Sequence, residues 1–143
     1  MKPELLLQCA NYAAIIGWIT LVIGWFSPVF LRLTQFAAIP LLLSGTYAFI
    51  VIGIRPDSGG DFSSLAGVQQ LFTNPWVATA GWIHYLAFDL FVGSWQLTDA
   101  KRRGISFLLM LPVWFLTFMV GPLGFLLYLV IRLIRSRSTG ILE

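Results

Sequence analysis

Long apolar runs separated by short polar connections dominate this sequence. Each run has about the 20 mostly apolar residues that a helix needs to cross a lipid bilayer. The four runs cover residues 5–26, 36–54, 76–95 and 105–131. The first two end at Ser27-Pro28 and Arg55-Pro56, where proline interrupts a helix. The pattern predicts an all-α polytopic membrane protein, a bundle of four transmembrane helices that forms one integral membrane domain over residues 1–143.

The longest connection, residues 55–74, has a pattern of its own. It begins with a turn rich in aspartate, serine and glycine. Apolar residues then recur at helical spacing with polar residues between them: Leu65, Val68 and Phe72. This spacing predicts a short amphipathic helix on the membrane interface between the second and third spans. Asn74 and Pro75 follow, and they suit the N-cap and first turn of the third span.

The last apolar run contains its own interruptions. Pro112 lies in its first half, and Gly121-Pro122-Leu123-Gly124 lies in its second half. Proline removes a backbone donor and kinks a helix, while glycine loosens it. The second interruption therefore predicts a break that splits the segment into a span and a bent end.

Composition supports a lipid environment. Of the 143 residues 58% are hydrophobic and only 10% are charged, whereas soluble domains carry about 25% charged residues. The net charge of +3 comes from basic residues that lie between or beyond the apolar runs. That placement suits lipid headgroups and not a nucleic-acid groove, so we expect membrane lipid as a partner and no nucleic-acid binding. The lone Cys9 can form neither an internal disulfide nor a cysteine-rich metal site.

Basic residues divide almost evenly between the two sides of a four-span protein. Both termini then share one side, with Lys2, Arg55, Arg132, Arg135 and Arg137. The other side has Arg32, Lys101, Arg102 and Arg103. The balance of five against four gives only a slight preference, and we expect cytoplasmic termini in a multi-pass cell-membrane protein.

Asp89 is the one acidic residue inside a predicted span, and His84, the only histidine, lies in the same span. The other acids fall in predicted connections or at the ends: Glu4, Asp57, Asp61, Asp99 and Glu143. A carboxylate at mid-bilayer costs about 2.5–3.5 kcal/mol on insertion scales, so such residues often mark functional sites. A protonated, hydrogen-bonded structural carboxyl is the alternative for Asp89, and a bond to a backbone carbonyl is the alternative for His84.

His84 and Asp89 do not pair within one helix. Five residues leave them about 140° apart around the helix axis. Tyr85 shares the face of Asp89, while Phe88 shares the face of His84. We expect Asp89, His84 and Tyr85 to be the catalytic residues if the protein is an enzyme.

Several further residues are candidates for contacting a lipophilic substrate. They are Trp82, Asn74, Phe88, Trp114 and Asn11. An interhelical hydrogen bond is favoured over a ligand contact for Asn11, as it is for Tyr12, Thr46 and Tyr47. The sequence has no metal-ligand cluster, phosphate-binding loop or Ser-His-Asp set, so we predict no metal site and no cofactor.

One stretch of the sequence resembles a known family. The stretch comprises Leu71-Phe72-Thr73-Asn74-Pro75-Trp76 and the run from Ala80-Gly81-Trp82-Ile83-His84-Tyr85 to Asp89-Leu90-Phe91-Val92-Gly93. It is similar to the plant abscisic-acid-deficient-four-like membrane proteins, which are linked to neoxanthin synthesis from violaxanthin. The later Gly121-Pro122-Leu123-Gly124 also fits. The short chain without a plastid transit segment suggests a bacterial relative in the inner membrane.

The resemblance implies an isomerase that acts on a carotenoid, a xanthophyll or a related isoprenoid. The reaction opens an epoxide and removes a proton to leave an allene, without net oxidation or reduction. Asp89 would protonate the epoxide oxygen, and His84 or Tyr85 would accept or relay the other proton. The alternative is a non-catalytic lipid or pigment binder, or an assembly subunit of a membrane complex. A transporter or channel is a weaker third option, and homo-oligomer formation stays open.

Overall fold

The computed structural model describes residues 2–35 and 38–136, and all regular structure within them is helical. The α-helices are α1 (Pro3–Gly24), α2 (Pro28–Gln35), α3 (Ala38–Ala48), α4 (Leu65–Thr73), α5 (Pro75–Arg102) and α6 (Phe107–Ser136). A π-helix, Phe49–Ile54, continues α3. The prediction of an all-helical chain is confirmed for the described residues. Phe36, the predicted start of the second span, lies outside them.

Three segments are long and apolar enough to cross a membrane. They are Pro3–Gly24, Pro28–Ile54 and Phe107–Arg135. They overlap the predicted first, second and fourth spans, but the second segment begins at Pro28 and not at the predicted residue 36. The predicted third span forms α5, a helix of 28 residues, but α5 is more polar and is not among the three. Its polar residues include His84, Asp89 and Asp99.

The residues form two compact units. The first comprises Met1–Ile16 and Ile39–Phe88, and the second comprises Gly17–Ala38 and Asp89–Glu143. Helices α1 and α5 each contribute their N-terminal part to the first unit and their C-terminal part to the second. The buried core of the first unit is formed by Ala10, Ala14, Leu43, Ile50, Ala80, Ile83, Leu86 and Ala87. Small residues on α1 and α5 let these helices approach closely.

The second unit depends on similar close approaches. The Leu90 side chain packs against Gly17, and the Trp18 ring packs against Gly93, because any Cβ there would overlap these groups. The Lys101 ammonium donates a hydrogen bond of 2.6 Å to the carbonyl oxygen of Trp25. These contacts pair the C-terminal parts of α1 and α5 side by side and in the same direction.

Helix α6 reverses its direction at Val120. The backbone there has φ −148° and ψ 57°, which is not helical. A Cβ at Gly124 would overlap the backbone of Thr117, seven residues earlier. Residues seven apart in a straight helix are about 10 Å apart. The predicted break at Gly121-Pro122 is therefore confirmed, and it is a hairpin bend.

The contacts of α6 define the course of its two halves. In residues 107–119, the Phe107 ring lies 4.9 Å from the Phe26 ring, and the Phe118 ring lies 5.7 Å from the Trp18 ring. This half therefore runs antiparallel to α1. Residues 121–136 return, because Phe125 contacts Trp95 and a later residue, Arg132, contacts Asp99. The second half thus runs alongside α5 in the same direction.

The predicted helix between the second and third spans is present as α4. Ser64 caps its N-terminus, since its hydroxyl accepts a hydrogen bond of 3.0 Å from the Gly67 amide. The predicted start of α5 is also confirmed, because the Asn74 carboxamide oxygen accepts a hydrogen bond of 2.9 Å from the Trp76 amide and Pro75 is the first helical residue. The location of α4 on a membrane interface stays a prediction.

Candidate functional site

A pocket of about 530 Å³ opens in the first unit. Its lining residues are Tyr47, Val51, Arg55, Pro56, Phe62, Leu71, Phe72, Val77, Ala80, Gly81 and His84. The volume is in the usual range for small-molecule sites. The walls are mostly apolar and aromatic, and His84 and Arg55 are the only residues in this set with titratable nitrogen. The pocket therefore suits a lipophilic ligand with a polar group.

The pocket is lined by α3 with its π-helix, the connection that follows, α4 and α5. Helix α5 contributes Val77, Ala80, Gly81 and His84, whose spacing of three and four residues places them on one helical face. Small side chains at the middle two positions leave the space open. From α4, the Phe72 ring packs directly against Gly81, where a Cβ would meet it at 2.7 Å.

The π-helix brings Arg55 to the rim of the pocket. Arg55 ends this helix with a left-handed backbone, φ 50° and ψ 60°, and its amide donates to the carbonyl oxygen of Ile50 over 3.2 Å. Its Nε donates a hydrogen bond of 3.0 Å to the carbonyl oxygen of Ile52. Pro56 follows and prevents the helix from continuing. The sequence marked Arg55-Pro56 only as a helix end, so its place at a pocket was missed.

His84 is held by two aromatic rings. Its imidazole centroid lies 4.7 Å from the Phe88 ring and 5.4 Å from the Tyr47 ring. The side chain is exposed and faces the pocket that it lines. The expectation that Phe88 shares a face with His84 is thus confirmed. Phe88 itself is not among the lining residues, and its role as a substrate contact stays a prediction.

The loop before α4 is ordered around Asp61. Its Oδ1 accepts hydrogen bonds from the Ser63 hydroxyl at 2.6 Å and from the Ser63 amide at 2.7 Å. These bonds hold the pKa of the Asp61 carboxyl below its usual value. Asn74 stabilises the same loop, because its Nδ2 donates 2.9 Å to the carbonyl oxygen of Asp57. These hydrogen bonds of Asn74 hold the loop in place, and a substrate contact there stays a prediction.

Two predicted substrate contacts, Asn11 and Trp82, bind each other. The Trp82 indole nitrogen donates a hydrogen bond of 2.8 Å to Asn11 Oδ1. This interhelical bond between α1 and α5 is the alternative that the sequence favoured for Asn11. Thr46 differs from the expectation, since its hydroxyl donates within its own helix to the carbonyl oxygen of Leu42 at 2.9 Å.

We expect Asn11→Leu to lower the stability of the protein. The substitution removes the acceptor of the Trp82 indole, which costs about 1 kcal/mol for a bond of this type. Thermal unfolding in mild detergent should give a lower Tm than Tyr12→Leu, a neighbouring exposed change on the same helix. Equal Tm values for the two variants would show that the bond contributes nothing.

Asp89 lies in the second unit and is buried, with 8% of its surface exposed. Its carboxylate packs directly against Gly121 at the bend of α6, where any Cβ would overlap it. Asp89 does not line the pocket that contains His84. Tyr85 is half-buried, with its ring 5.4 Å from the Trp82 ring, and it is also outside the lining set.

Trp114, another predicted substrate contact, is packed inside the second unit. It is 3% exposed, and its ring lies 5.8 Å from Trp25 and 6.1 Å from Phe107. Its indole nitrogen is buried and has no hydrogen-bond partner among the described residues. The packing explains the residue as part of an aromatic cluster, and its contact with a substrate stays a prediction.

A buried charge cluster was missed by the sequence analysis. Asp99, assigned to a connection, lies inside α5 and is 9% exposed. Its carboxylate accepts hydrogen bonds from Tyr128 Oη at 2.5 Å and from Arg132 Nε at 2.9 Å. Arg103 Nε adds bonds of 3.0 Å to both oxygens. Arg132, expected to reach lipid headgroups, is 1% exposed.

The signal for this cluster was present in part. Asp99 and Arg103 are four residues apart, a spacing that favours an ion pair on a helix. The contacts to Tyr128 and Arg132 depend on the reversal of α6, which brings its second half beside α5. Helical spacing alone could not place residues 29 and 33 positions away next to Asp99.

The comparison with protein families settles the family of the chain. The model of the family described as ABA DEFICIENT 4-like matches residues 5–128. The chain belongs to this family. The match includes both α5 and the bend of α6, and it confirms the resemblance seen in the sequence. No curated protein matches the chain, and no solved structure matches it.

Among the described residues, no group of three or more His, Cys, Asp or Glu side chains could hold a metal ion. The pocket itself offers three polar side-chain groups: the imidazole of His84, the guanidinium of Arg55 and the phenol of Tyr47. An imidazole can donate and accept a proton near neutral pH. The arrangement is suited to proton transfer on a ligand that is held by apolar walls.

Proposed function

We propose that this ABA DEFICIENT 4-like protein is a membrane-embedded, neoxanthin synthase-like isomerase of a carotenoid, xanthophyll or related isoprenoid. The observation that carries the proposal is a largely apolar pocket whose face of α5 includes the only histidine, His84. Family membership supports the substrate class. The membrane location is supported by apolar helices of spanning length.

The chemistry requires only proton movements. In the epoxide-to-allene reaction, the C–O bond breaks, the oxygen takes up one proton, and the adjacent vinylic carbon loses one. His84 as imidazolium delivers its proton to the oxygen, and the neutral imidazole then removes the carbon proton. The residue returns to its starting state, so no other reactant is consumed. Asp89 as an additional acid stays a separate prediction.

The pocket geometry favours binding of one end of a long substrate. An oxygenated end ring fits a site of about 530 Å³ with aromatic walls, and the polyene would lie in the surrounding lipid. Tyr47 and Phe88 flank the imidazole of His84, so they limit its rotation and orient it toward the end ring of the substrate. The guanidinium of Arg55 is available for an oxygen on the same ring.

The first test is expression in a host that makes violaxanthin, followed by pigment analysis. The wild type is expected to yield an allenic isomer, and His84→Gln is expected to reduce it at least about tenfold, as for loss of a general acid–base. If the wild type forms the isomer and His84→Gln forms as much, the assignment of His84 is wrong. If Asp89→Asn also forms as much, Asp89 is not the acid.

A matched pair of variants tests the pocket itself. Val51 and Ile52 are neighbours in the π-helix, both largely exposed, but only Val51 lines the pocket. Val51→Trp should fill the space and lower pigment binding and product, while Ile52→Trp should leave both unchanged. Equal behaviour of the two variants would place the ligand elsewhere.

A second candidate function is non-catalytic binding of a pigment or lipid. It is favoured by the small number of polar groups in the pocket, which suffice to orient a ligand without reacting with it. Purification in mild detergent distinguishes the two. A coeluting chromophore that is lost in Val51→Trp, with no product formed, supports the binder, whereas a stoichiometric protein partner supports an assembly subunit. Colourless, lipid-free protein without activity and without a protein partner contradicts the isomerase, the binder and the assembly subunit alike.

A further inference from the structure

Basic residues gather at one end of the second unit. Lys101, Arg102 and Arg103 end α5 or follow it directly. The hydrogen bond from Lys101 to Trp25 places them beside the end of α1. Arg32 of α2 belongs to the same end, because the backbone of Leu31 packs against Gly24 at the end of α1.

The reversal of α6 adds its C-terminal arginines to this end. Arg132 and Tyr128 both contact the carboxylate of Asp99. Asp99 lies on α5, three residues before Arg102 and four residues before Arg103. The halves 107–119 and 121–136 are about 20 and 24 Å long, shorter than the roughly 30 Å hydrocarbon layer. Neither half can cross alone, and both begin or end beside Lys101.

We propose that α6 is a re-entrant hairpin and that the basic end of the second unit rests on the anionic phosphate headgroups of the cytoplasmic leaflet. Its exposed basic residues are Arg32, Lys101, Arg102 and Arg135. Arg103 and Arg132 belong to the same end but are paired with Asp99. The spanning elements are then α1, the segment Pro28–Ile54, and α5.

In a chain with these three spans, the connections on the other side of the membrane carry fewer basic residues. Lys2 directly precedes α1, and Arg55 lines the same pocket as Val77 in the first turn of α5. Six basic residues therefore face two, where the four-span arrangement gave five against four. Lys and Arg prefer the cytoplasmic side, and exposed Lys and Arg side chains near the surface are attracted to an anionic leaflet. This topology places the N-terminus outside, which differs from the expectation that both termini are cytoplasmic. Arg137, counted in that expectation, lies outside the described residues.

Side-specific cysteine labelling in intact cells tests the topology. In a Cys9→Ala background, Glu4→Cys, Ser106→Cys and Arg135→Cys each supply one exposed thiol. A membrane-impermeant maleimide should label Glu4→Cys in intact cells, and the other two only after permeabilisation. Labelling of Ser106→Cys and Arg135→Cys from opposite sides would overturn the hairpin, and labelling of both from outside would overturn the cytoplasmic placement.

A spin-label distance tests the hairpin without reference to orientation. Leu108 and Ile134 are both exposed, at 75% and 74%, near the two ends of α6. A straight helix would separate these positions by about 39 Å, whereas the hairpin brings them to less than about two thirds of that distance. Cysteine pairs at the two positions, measured in lipid by electron spin resonance, decide between them. A distance at the straight-helix value overturns the proposal.

A matched pair of charge variants tests the role of the headgroups. Lys101→Gln with Arg102→Gln removes two charges at the basic end, and Gln69→Glu with Gln70→Glu lowers the net charge equally on exposed positions of α4. Each pair of substitutions is combined with Glu4→Cys, and the fraction of protein that the impermeant maleimide does not label in intact cells is measured. The first variant should raise this unlabelled fraction severalfold, and the second should not. The same fraction in both variants would show that these cations do not set the orientation.

Discussion

Replacing Asp99 with asparagine is expected to destabilise the protein by about 3 kcal/mol, the cost of removing one partner from a buried ion pair. The guanidinium groups of Arg103 and Arg132 would lose the carboxylate to which they donate, and the Tyr128 hydroxyl would lose the same acceptor. An amide oxygen still accepts a hydrogen bond, but it does not compensate two positive charges that are largely removed from water. The measurement is the midpoint of thermal or denaturant unfolding in mild detergent.

Asp57→Asn is the matched control for this prediction. It removes the same single charge from an exposed acid whose Oδ1 accepts a hydrogen bond from the Gly59 amide, and asparagine can keep that bond. Arg132→Met in the Asp99→Asn background should recover part of the loss, because it replaces one uncompensated cation by an apolar side chain. If Asp99→Asn unfolds at the same midpoint as Asp57→Asn, the cluster does not stabilise the fold.

The cluster also secures the hairpin of α6. Tyr128 and Arg132 are on the returning half, and Asp99 and Arg103 are on or next to α5, so four side chains join two elements. The Arg132 guanidinium lies 5.9 Å from the Trp95 ring, and that ring packs edge-on against Tyr128 at 5.2 Å. Loss of Asp99 should therefore loosen the second half of α6 before the rest of the second unit.

Several helix positions and ends were predictable from the sequence because they depend on local properties, whereas α2 and the end of α5 were not predicted. Apolar length predicted α1, the start of α5 followed from Asn74-Pro75, and the break in α6 followed from Gly121-Pro122. These features require only hydropathy, capping and the missing proline amide. They were predicted without any knowledge of which helices pack together.

The candidate site was predictable only in part, since it depends on tertiary contacts. His84 was identified as the sole histidine within a span, and it lines the pocket. The opposing wall is formed by Arg55 and α4. Its position depends on the π-helix and on the course of the connection that follows, and the periodicity of apolar residues predicts neither. Asp99 was assigned to a connection because the third span was expected to end at Trp95, whereas α5 continues to Arg102.

The bend of α6 yields the second large prediction, that Gly124→Ala disrupts folding of the second unit. An added Cβ would overlap the backbone nitrogen and Cα of Thr117, and backbone atoms cannot move aside as a flexible side chain can. It would also disturb Gln96, whose Nε2 donates to the Thr117 hydroxyl at 3.2 Å and to the Gly124 carbonyl oxygen at 3.5 Å. We expect a loss of about 3 kcal/mol, at the upper end of overpacking costs.

Gly45→Ala is the control that separates this contact from helix propensity. Gly45 is an exposed residue of α3, and a Cβ there would meet nothing within 4 Å. Alanine favours a helix over glycine by up to about 1 kcal/mol, so Gly45→Ala should keep or raise the unfolding midpoint while Gly124→Ala lowers it sharply. Should Gly124→Ala unfold at or above the wild-type midpoint, the two halves of α6 do not touch at this position. The short distance expected between labels at Leu108 and Ile134 would then lose its structural basis, because that distance requires the halves to pack at Gly124.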